Sequence, residues 1–384
     1  MKPATHVVHQ GIEPDRQTGA VILPINLSTT FERDPDGEYS RGYYYSRPDN
    51  PTRGVLERCL AELEGGQVGA CFSSGSAASM AVFQSLDPGD HVIAPLEAYH
   101  GTIKMLRTIG ARWGLTHTQV NTTDTSAVER AMTEKTKLIW LETPSNPRLQ
   151  ISDIAAIAEI AWANGAKHAG RIGSHGVLLV CDNTLATPLL QSPLSLGAGA
   201  VMHSTTKYLS GHGDVLGGAL VFADEKSELA QRVRDVQVQV GAVPSPFDCW
   251  LALRGIKTLA LRVRAHCDNA ARVAAFFDKH PRVEAVHYPG LPGHPGHELA
   301  TRQMRGFGGL LSFEVPGGQA GAMAMIARLG LIRRATSLGG VESLIEHRAS
   351  MEAQPSMTPD NLIRLSVGIE DPDDLIADLD QALR

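Results

Sequence analysis

Lys207 lies in the stretch "VMHSTTKYLSGHGD", Val201 to Asp214, among hydroxyl, glycine and histidine residues that bury little apolar surface. A neutral lysine amine attacks carbonyl carbon and can hold a carbonyl-bearing cofactor as a Schiff base. Ser204 and Thr206, just upstream, offer hydroxyl donors suited to a phosphate. Asp182 ends the apolar run "GVLLVCD". A carboxylate beside a pyridine nitrogen favours its protonated form, and a protonated pyridine ring is an electron sink. The segment "SSGSAAS" sets Ser74, Gly75 and Ser76 at a helix start after a strand, where free N–H groups and the helix dipole attract an anion. Each feature has an ordinary counterpart: a solvated surface lysine, an aspartate capping a turn, a plain N-cap at Ser74. Their combination, in this order, matches what a phosphorylated pyridine aldehyde needs.

These residues require a scaffold that gathers strand ends. "VGACFSS", "DHVIAPLEAY", "TKLIWLETPSNP", "GVLLVCDNTLATP" and "GALVFA" read as buried strands. "TRGVLERCLAELEGG", "GSAASMAVFQSL" and "ISDIAAIAEIAWANG" carry helical spacing, and Ser152 with Asp153 could cap the last. Apolar strands alternating with helices predict a mostly parallel, seven-stranded-type sheet covered on both faces. Ligands bind such sheets at the carboxyl ends of the strands. The polar ends Ser73–Ser74, Glu142–Asn146 and Asp182–Thr184 are therefore expected to converge.

The first 50 residues are polar and turn-rich and read as an extended arm. A Pro-rich junction, "GAVPSPFDCW", precedes one long helical pattern, "LALRGIKTLALRVRAHCDNAARVAAFFDKH". Short strands "VEAVHYPG", "GGLLSFEV" and "NLIRLSVGIED" follow. The expected division is an arm over 1–50, a large domain over 51–244 and a smaller α/β domain over 245–384.

A net charge of −6 without a basic stripe argues against a nucleic-acid surface. No apolar run approaches a membrane span, and the amino terminus lacks the apolar core of a secretory signal. Five cysteines without C-x-x-C spacing argue against a structural zinc site or a disulfide framework and for a reducing, cytoplasmic setting. His294 and His297 in "HPGH" read as loop histidines, so no metal is expected. "GHGDVLGG" lacks dinucleotide-fingerprint spacing, and there is no P-loop.

The chain resembles the Cys/Met-metabolism, or trans-sulfuration, family of pyridoxal-phosphate (PLP) enzymes over nearly its whole length. The resemblance rests on "YSRPDNPTR", "SSGSAA", "ETPSNP", "CDNTLATP", "STTKYLSGHGD", "GAVPSPFDCWLALRGIKTL", "YPGLPGHPGHELA", "SLGGVESL" and "LIRLSVGIED". It implies PLP fold type I, with Lys207 carrying the cofactor and moving protons, and Asp182 holding the pyridinium. It further implies phosphate contacts from Gly75, Ser76, Ser204 and Thr206, joined by Tyr45 and Arg47 of a neighbouring subunit. Tyr99 would stack on the ring and assist proton transfer. Asn146 would contact the cofactor and substrate, and Ser337 and Arg364 would grip the substrate α-carboxylate. The implied reaction is γ-elimination or γ-replacement on cystathionine or an activated homoserine. Alternatives are lysis of methionine, sulfhydrylation of an acylhomoserine, β-elimination from cystathionine, or PLP binding without turnover. The implied assembly is a homotetramer, a dimer of dimers with shared sites.

The chain departs from the family pattern in four places. Ser76 replaces a usual Met, "AKHAGRIGSHG" lengthens a helix-to-strand link, and "EHRASMEAQPSMTPD" replaces a Thr-His-Ala-Ser segment. Thr336 stands where a glutamate usually reads a distal substrate ammonium. The expected consequence is poor discrimination between cystathionine and substrates lacking that ammonium. Arg333, Arg334 or Arg348, in the same region, could instead favour a distal carboxylate.

Overall fold

The computed structural model describes residues 2–9, 13–15, 17–165, 176–352 and 357–384. A seven-stranded sheet is built from β1 (Val68–Phe72), β2 (His91–Pro95), β3 (Thr116–Val120), β4 (Thr136–Glu142), β5 (Leu178–Asp182), β6 (Ala200–His203) and β7 (Gly218–Phe222). The order is β1-β7-β6-β5-β4-β2-β3. β7 runs antiparallel to both its neighbours, and every other pairing is parallel. The sheet is thus the mostly parallel one expected. β3 had no apolar signature because it is an edge strand, THTQV, with no buried residue.

Alternation along the strands assigns each side chain to a face. On β4, Leu138 and Trp140 pack under the helix Gly75–Gln84, whereas Ile139 and Leu141 pack with the helix Ile154–Gly165 on the opposite face. On β5, Val180 joins the first group and Leu179 and Cys181 the second. Near β1 and β7, the second face is covered by helices Pro51–Glu64 and Pro246–Ile256. The helix Pro51–Glu64 starts where Asn50 accepts from the Thr52 and Arg53 N–H groups and stops at left-handed Gly65.

A second, five-stranded sheet contains β8 (Ala285–His287), β9 (Leu310–Glu314), β10 (Arg333–Arg334), β11 (Leu344–His347) and β12 (Leu362–Ser366), in the order β10-β11-β12-β9-β8. Leu311, Phe313, Ile345, Ile363 and Leu365 face a core closed by helices Leu259–Phe277 and Pro372–Leu383. The alternate residues Ser312 and Arg364 turn the other way, and they meet the first sheet: Ser312 Oγ donates to Pro147 O at 2.7 Å, and Arg364 to Asn146.

Several expectations are corrected. The long helical pattern after the Pro-rich junction is two helices, Pro246–Ile256 and Leu259–Phe277. Between them the Gly255 carbonyl accepts from Arg262 Nη2 and Thr258 Oγ, which diverts the chain. The arm is not wholly extended: Pro3–His9 is helical, and Val7 enters the main core cluster. Asp153 caps its helix through Ala156 N, but Ser152 bonds Thr122 instead. The inserted link falls, apart from Gly176, outside the described residues, as do residues 353–356 of the segment Glu346–Asp360. The five cysteines are unpaired. His294 and His297 each bond local backbone, to Gly296 N and Pro289 O. No helix among the described residues is long and apolar enough to cross a membrane.

Candidate active site

Continuing the strand alternation past the last apolar pairs brings Glu142 and Asp182, register partners at the ends of β4 and β5, onto the face that carries the helix Gly75–Gln84. Ser74 starts that helix by accepting from Ala77 N at 3.1 Å, so the Gly75 and Ser76 N–H groups lie in its open first turn. Gly75 is required there, because a Cβ would sit 2.9 Å from the Ser204 Cβ. A cavity of about 240 Å³ opens at this junction. One wall carries Ser74, Gly75, Ser76, Asp182, Ser204, Thr206 and Lys207. The facing wall carries Asn146, Thr336, Ser337 and Arg364, with Tyr99 and His100 at the side.

The first wall holds two buried carboxylates. Asp182 accepts from Thr184 N at 3.0 Å and has no cationic ion-pair partner among the described residues. Burial pushes its carboxyl upward, against the bonds from Thr184. Glu142 is pushed up further, first by burial and then by the neighbouring Asp182, although it accepts from the Tyr99 N–H at 2.7 Å. Behind Asp182, the residues of opposite alternation form a buried lattice. His203 and Asn183 both bond Glu64 Oε1, and Gln191 ties Asn183 to the Thr143 carbonyl.

Lys207 sits in the turn after β6, held by Gly211 N→Lys207 O at 2.8 Å and by Arg262, whose guanidinium grips the Tyr208 and Leu209 carbonyls. Its Nζ donates to Ser337 Oγ at 2.8 Å. Burial, then the Arg364 charge, brings its ammonium down to about 8. Ser337 has φ +91°, a strained value for a residue with a Cβ. Next to it, left-handed Gly339 approaches so closely that a Cβ would stand 2.7 Å from Tyr208 N. These two residues bring the second sheet's loop against the lysine.

Arg364 is 4% exposed and projects from β12. It donates to Asn146 Oδ1 and the Ser337 carbonyl, both at 3.1 Å, and to its cross-strand partner Glu346. Burial lowers its guanidinium to about 10.

The structure therefore brings together Gly75, Ser76, Tyr99, Asn146, Asp182, Ser204, Thr206, Lys207, Thr336, Ser337 and Arg364. Two named residues lie elsewhere in the same chain. Arg47 donates to the Val238 carbonyl and lies over the half-exposed Tyr45 ring, 5.9 Å from its centroid. The Thr206 hydroxyl already bonds both Gly217 N and Gly217 O. Glu142 and Thr184 also line the cavity, as expected of the converging strand ends, and so does Arg348, named for a distal carboxylate; the residues that sequence reasoning missed are His100 and Glu346. The quoted strand end "ETPSNP" carried a signal for Glu142, whereas the antiparallel pairing that aims Glu346 leaves none.

This donor set fits PLP. A buried carboxylate without a cation suits a protonated ring nitrogen, a buried low-pKa amine suits the aldehyde, and an open helix start beside Ser204 suits the phosphate.

Comparison with known proteins agrees. The family model described as Cys/Met metabolism PLP-dependent enzyme matches residues 4–384. The chain is 49% identical to cystathionine gamma-synthase of Mycobacterium tuberculosis, covering 99% of this chain and 96% of that one. It is 45% identical to cystathionine beta-lyase of Coxiella burnetii, covering 99% and 97%. The crystal structure of metB from Corynebacterium glutamicum superposes with a TM-score of 0.94 at 45% identity, covering 100% and 98%. With that fold, that donor set and these relatives, the chain belongs to the Cys/Met metabolism family of PLP-dependent enzymes, as a carbon–sulfur lyase or transferase of the trans-sulfuration type.

Proposed function

We propose that this enzyme catalyses γ-elimination or γ-replacement on cystathionine or an activated homoserine. The observation that carries the reading is the geometry around Lys207. Its amine bonds Ser337 Oγ, the backbone of Ser337 bonds Arg364, and buried Asp182 lines the same cavity. PLP, when bound, supplies the electron sink that stabilises charge at the substrate Cα and Cβ. The chain's residues do the rest. Arg364, held flat by Asn146 and Glu346, grips the α-carboxylate, with Ser337 beside it. Lys207 takes the Cα proton and redelivers it nearby. A basicity brought down to about 8 suits a group that gives and takes a proton near neutral pH. Asp182 holds the ring nitrogen protonated, and Gly75, Ser76 and Ser204 receive the phosphate, joined by Thr206 once its hydroxyl proton turns away from the Gly217 carbonyl. Tyr99 covers the ring and assists proton transfer.

We place Tyr45 and Arg47 in the site of a neighbouring subunit of a homotetramer. Their absence from the cavity lining within one chain supports this, as do Val21, Ile22 and Leu27 of the arm, all more than half exposed. On this reading residues 1–50 are an exchanged arm, 51–244 the cofactor domain and 245–384 the small domain, in a cytoplasmic enzyme.

The test is a substrate panel on PLP-loaded protein. Release of 2-oxobutyrate from cystathionine, or cystathionine formation from an acylhomoserine and cysteine, is expected. Bound PLP with no turnover of any sulfur amino acid or homoserine ester would establish a silent binder instead. Preferred turnover of methionine, sulfide with an acylhomoserine, or pyruvate release from cystathionine would move the assignment within the family.

A further inference from the structure

The loop after β2 brings Tyr99 to the cavity, and two carboxyl groups tie that loop to the end of β4 and the turn after it. Glu97 accepts from Ser145 Oγ at 2.6 Å, from Arg148 N at 2.8 Å and from Arg148 Nε at 2.6 Å. Glu142, the last residue of β4, accepts from Tyr99 N at 2.7 Å. The Tyr99 carbonyl in turn accepts from Thr102 N at 3.0 Å, at the start of the helix His100–Met105. With both peptide groups of Tyr99 held, the direction of its ring is set by the backbone. Packing alone fixes that ring weakly. Tyr99 is 40% exposed, its ring centroid lies 4.9 Å from that of His100, and its edge passes so close to Gly101 that a Cβ there would run into it.

Glu142 is itself firmly placed. It is buried, and strand register sets it beside Asp182 of β5. Burial, then the Asp182 charge, favours its uncharged acid. A neutral carboxyl still accepts an N–H through its carbonyl oxygen, so the bond to Tyr99 depends on reach and not on charge.

We infer that Glu142 is a positioning residue: through the Tyr99 N–H it holds the phenol ring against the bound PLP ring, and it needs the length of its side chain rather than its charge. This rests on the role proposed above for Tyr99 in the same site.

Two substitutions separate reach from charge. Glu142→Gln keeps an acceptor at the same distance and removes the acid; Glu142→Asp keeps the acid and withdraws it by one methylene. The readouts are the rate of PLP loss from the holoenzyme on dilution and the visible circular dichroism of the bound cofactor. Glu142→Asp leaves the Tyr99 N–H without its acceptor, so PLP loss should speed up by about fivefold or more and the dichroic band should weaken. Glu142→Gln should stay within about twofold of wild type in both. If Glu142 acts through Tyr99, adding Glu142→Asp to Tyr99→Leu should change the rate by less than about twofold. An impaired Glu142→Gln, a Glu142→Asp equal to wild type, or a Glu142→Asp effect that persists in the Tyr99→Leu background each overturns the inference. Should Glu142→Asp not fold, Glu142→Met removes the acceptor at similar length, and the same results support or overturn. A Tyr99→Leu variant that retains PLP as wild type does would remove the proposed stacking and the inference with it. Absent turnover with these PLP readouts as expected would count against the proposed reaction and not against Glu142.

Discussion

The two walls of the cavity are built differently. The cofactor wall comes from the ends of parallel strands and one helix start, where alternation alone aims Asp182 and Glu142 at the same face. Asp182 has no cationic ion-pair partner among the described residues and the Lys207 amine bonds a neutral hydroxyl, so burial perturbs both. The substrate wall comes from antiparallel β11 and β12 and the loop at Ser337. There Arg364, Glu346, Arg348 and Glu352 form a chain of mutual contacts. One wall is held ready for a partner by the sheet; the other is preassembled from side chains that hold each other. Damage to the first should appear in cofactor spectra, damage to the second in amino-acid selectivity.

The largest effect is expected from Lys207→Ala, which removes the amine proposed as both covalent anchor and base. Turnover should fall by about 10⁴-fold, with loss of the visible absorbance of bound PLP. A variant with wild-type spectrum and rate would sink the assignment. Asp182→Asn keeps the shape of the wall and removes its charge. An adjacent charge moves a pKa by about 1–3 units, so kcat should drop by roughly 10- to 1000-fold while PLP remains bound. The absorbance titration of the bound cofactor reports the change, and an unaltered titration would break the contrast between the walls.

Arg47→Ala asks whether the cofactor wall is completed by a second chain. Loss of a charge-assisted contact of about 1.5–3 kcal/mol predicts roughly 10- to 150-fold weaker PLP binding. Mixing Arg47→Ala with Lys207→Ala subunits should restore some activity; verified hetero-oligomers without recovery would rule out sharing. A pH series sharpens the same wall. Because burial favours the neutral amine, recombination of PLP with the cofactor-free protein should slow about tenfold per unit below a midpoint near 8. A midpoint above 10 would mean an ordinary, solvated lysine. The smallest effect belongs to Ser76→Ala, whose exposed side chain carries no hydrogen bond in the described structure. PLP affinity should change by less than about twofold, measured by equilibrium titration; a larger loss would assign the hydroxyl a phosphate contact.

Much of the cofactor wall was legible because local rules govern it. A strand's apolar run ends where its polar residues begin, and a Ser-Gly pair before a small-residue helix marks an open N-terminus. Lys207, Asp182 and Gly75 could be nominated from such signals. Glu346 and Arg348 could not be placed, since antiparallel pairing of β11 with β12 sets Glu346 opposite Arg364, and pairing depends on residues far apart in the chain. The break at Lys257–Thr258 was hidden for a related reason. Helical spacing runs through it, and the carbonyl that diverts the chain is claimed by Arg262, a guanidinium that also spans to Tyr208 and Leu209.

By itself, then, the amino-acid sequence determined which residues end strands and start helices, and with them nominated Lys207 and Asp182 for the proposed chemistry. The tertiary structure alone decided the depth of their burial, and hence how far their basicities move. It also decided the strained approach of Ser337 to the lysine and the sharing of Glu346 between two arginines. The reason is range: alternation, capping and turns act within a few residues, whereas desolvation and ion pairing depend on which distant segments come to exclude water from the same small volume.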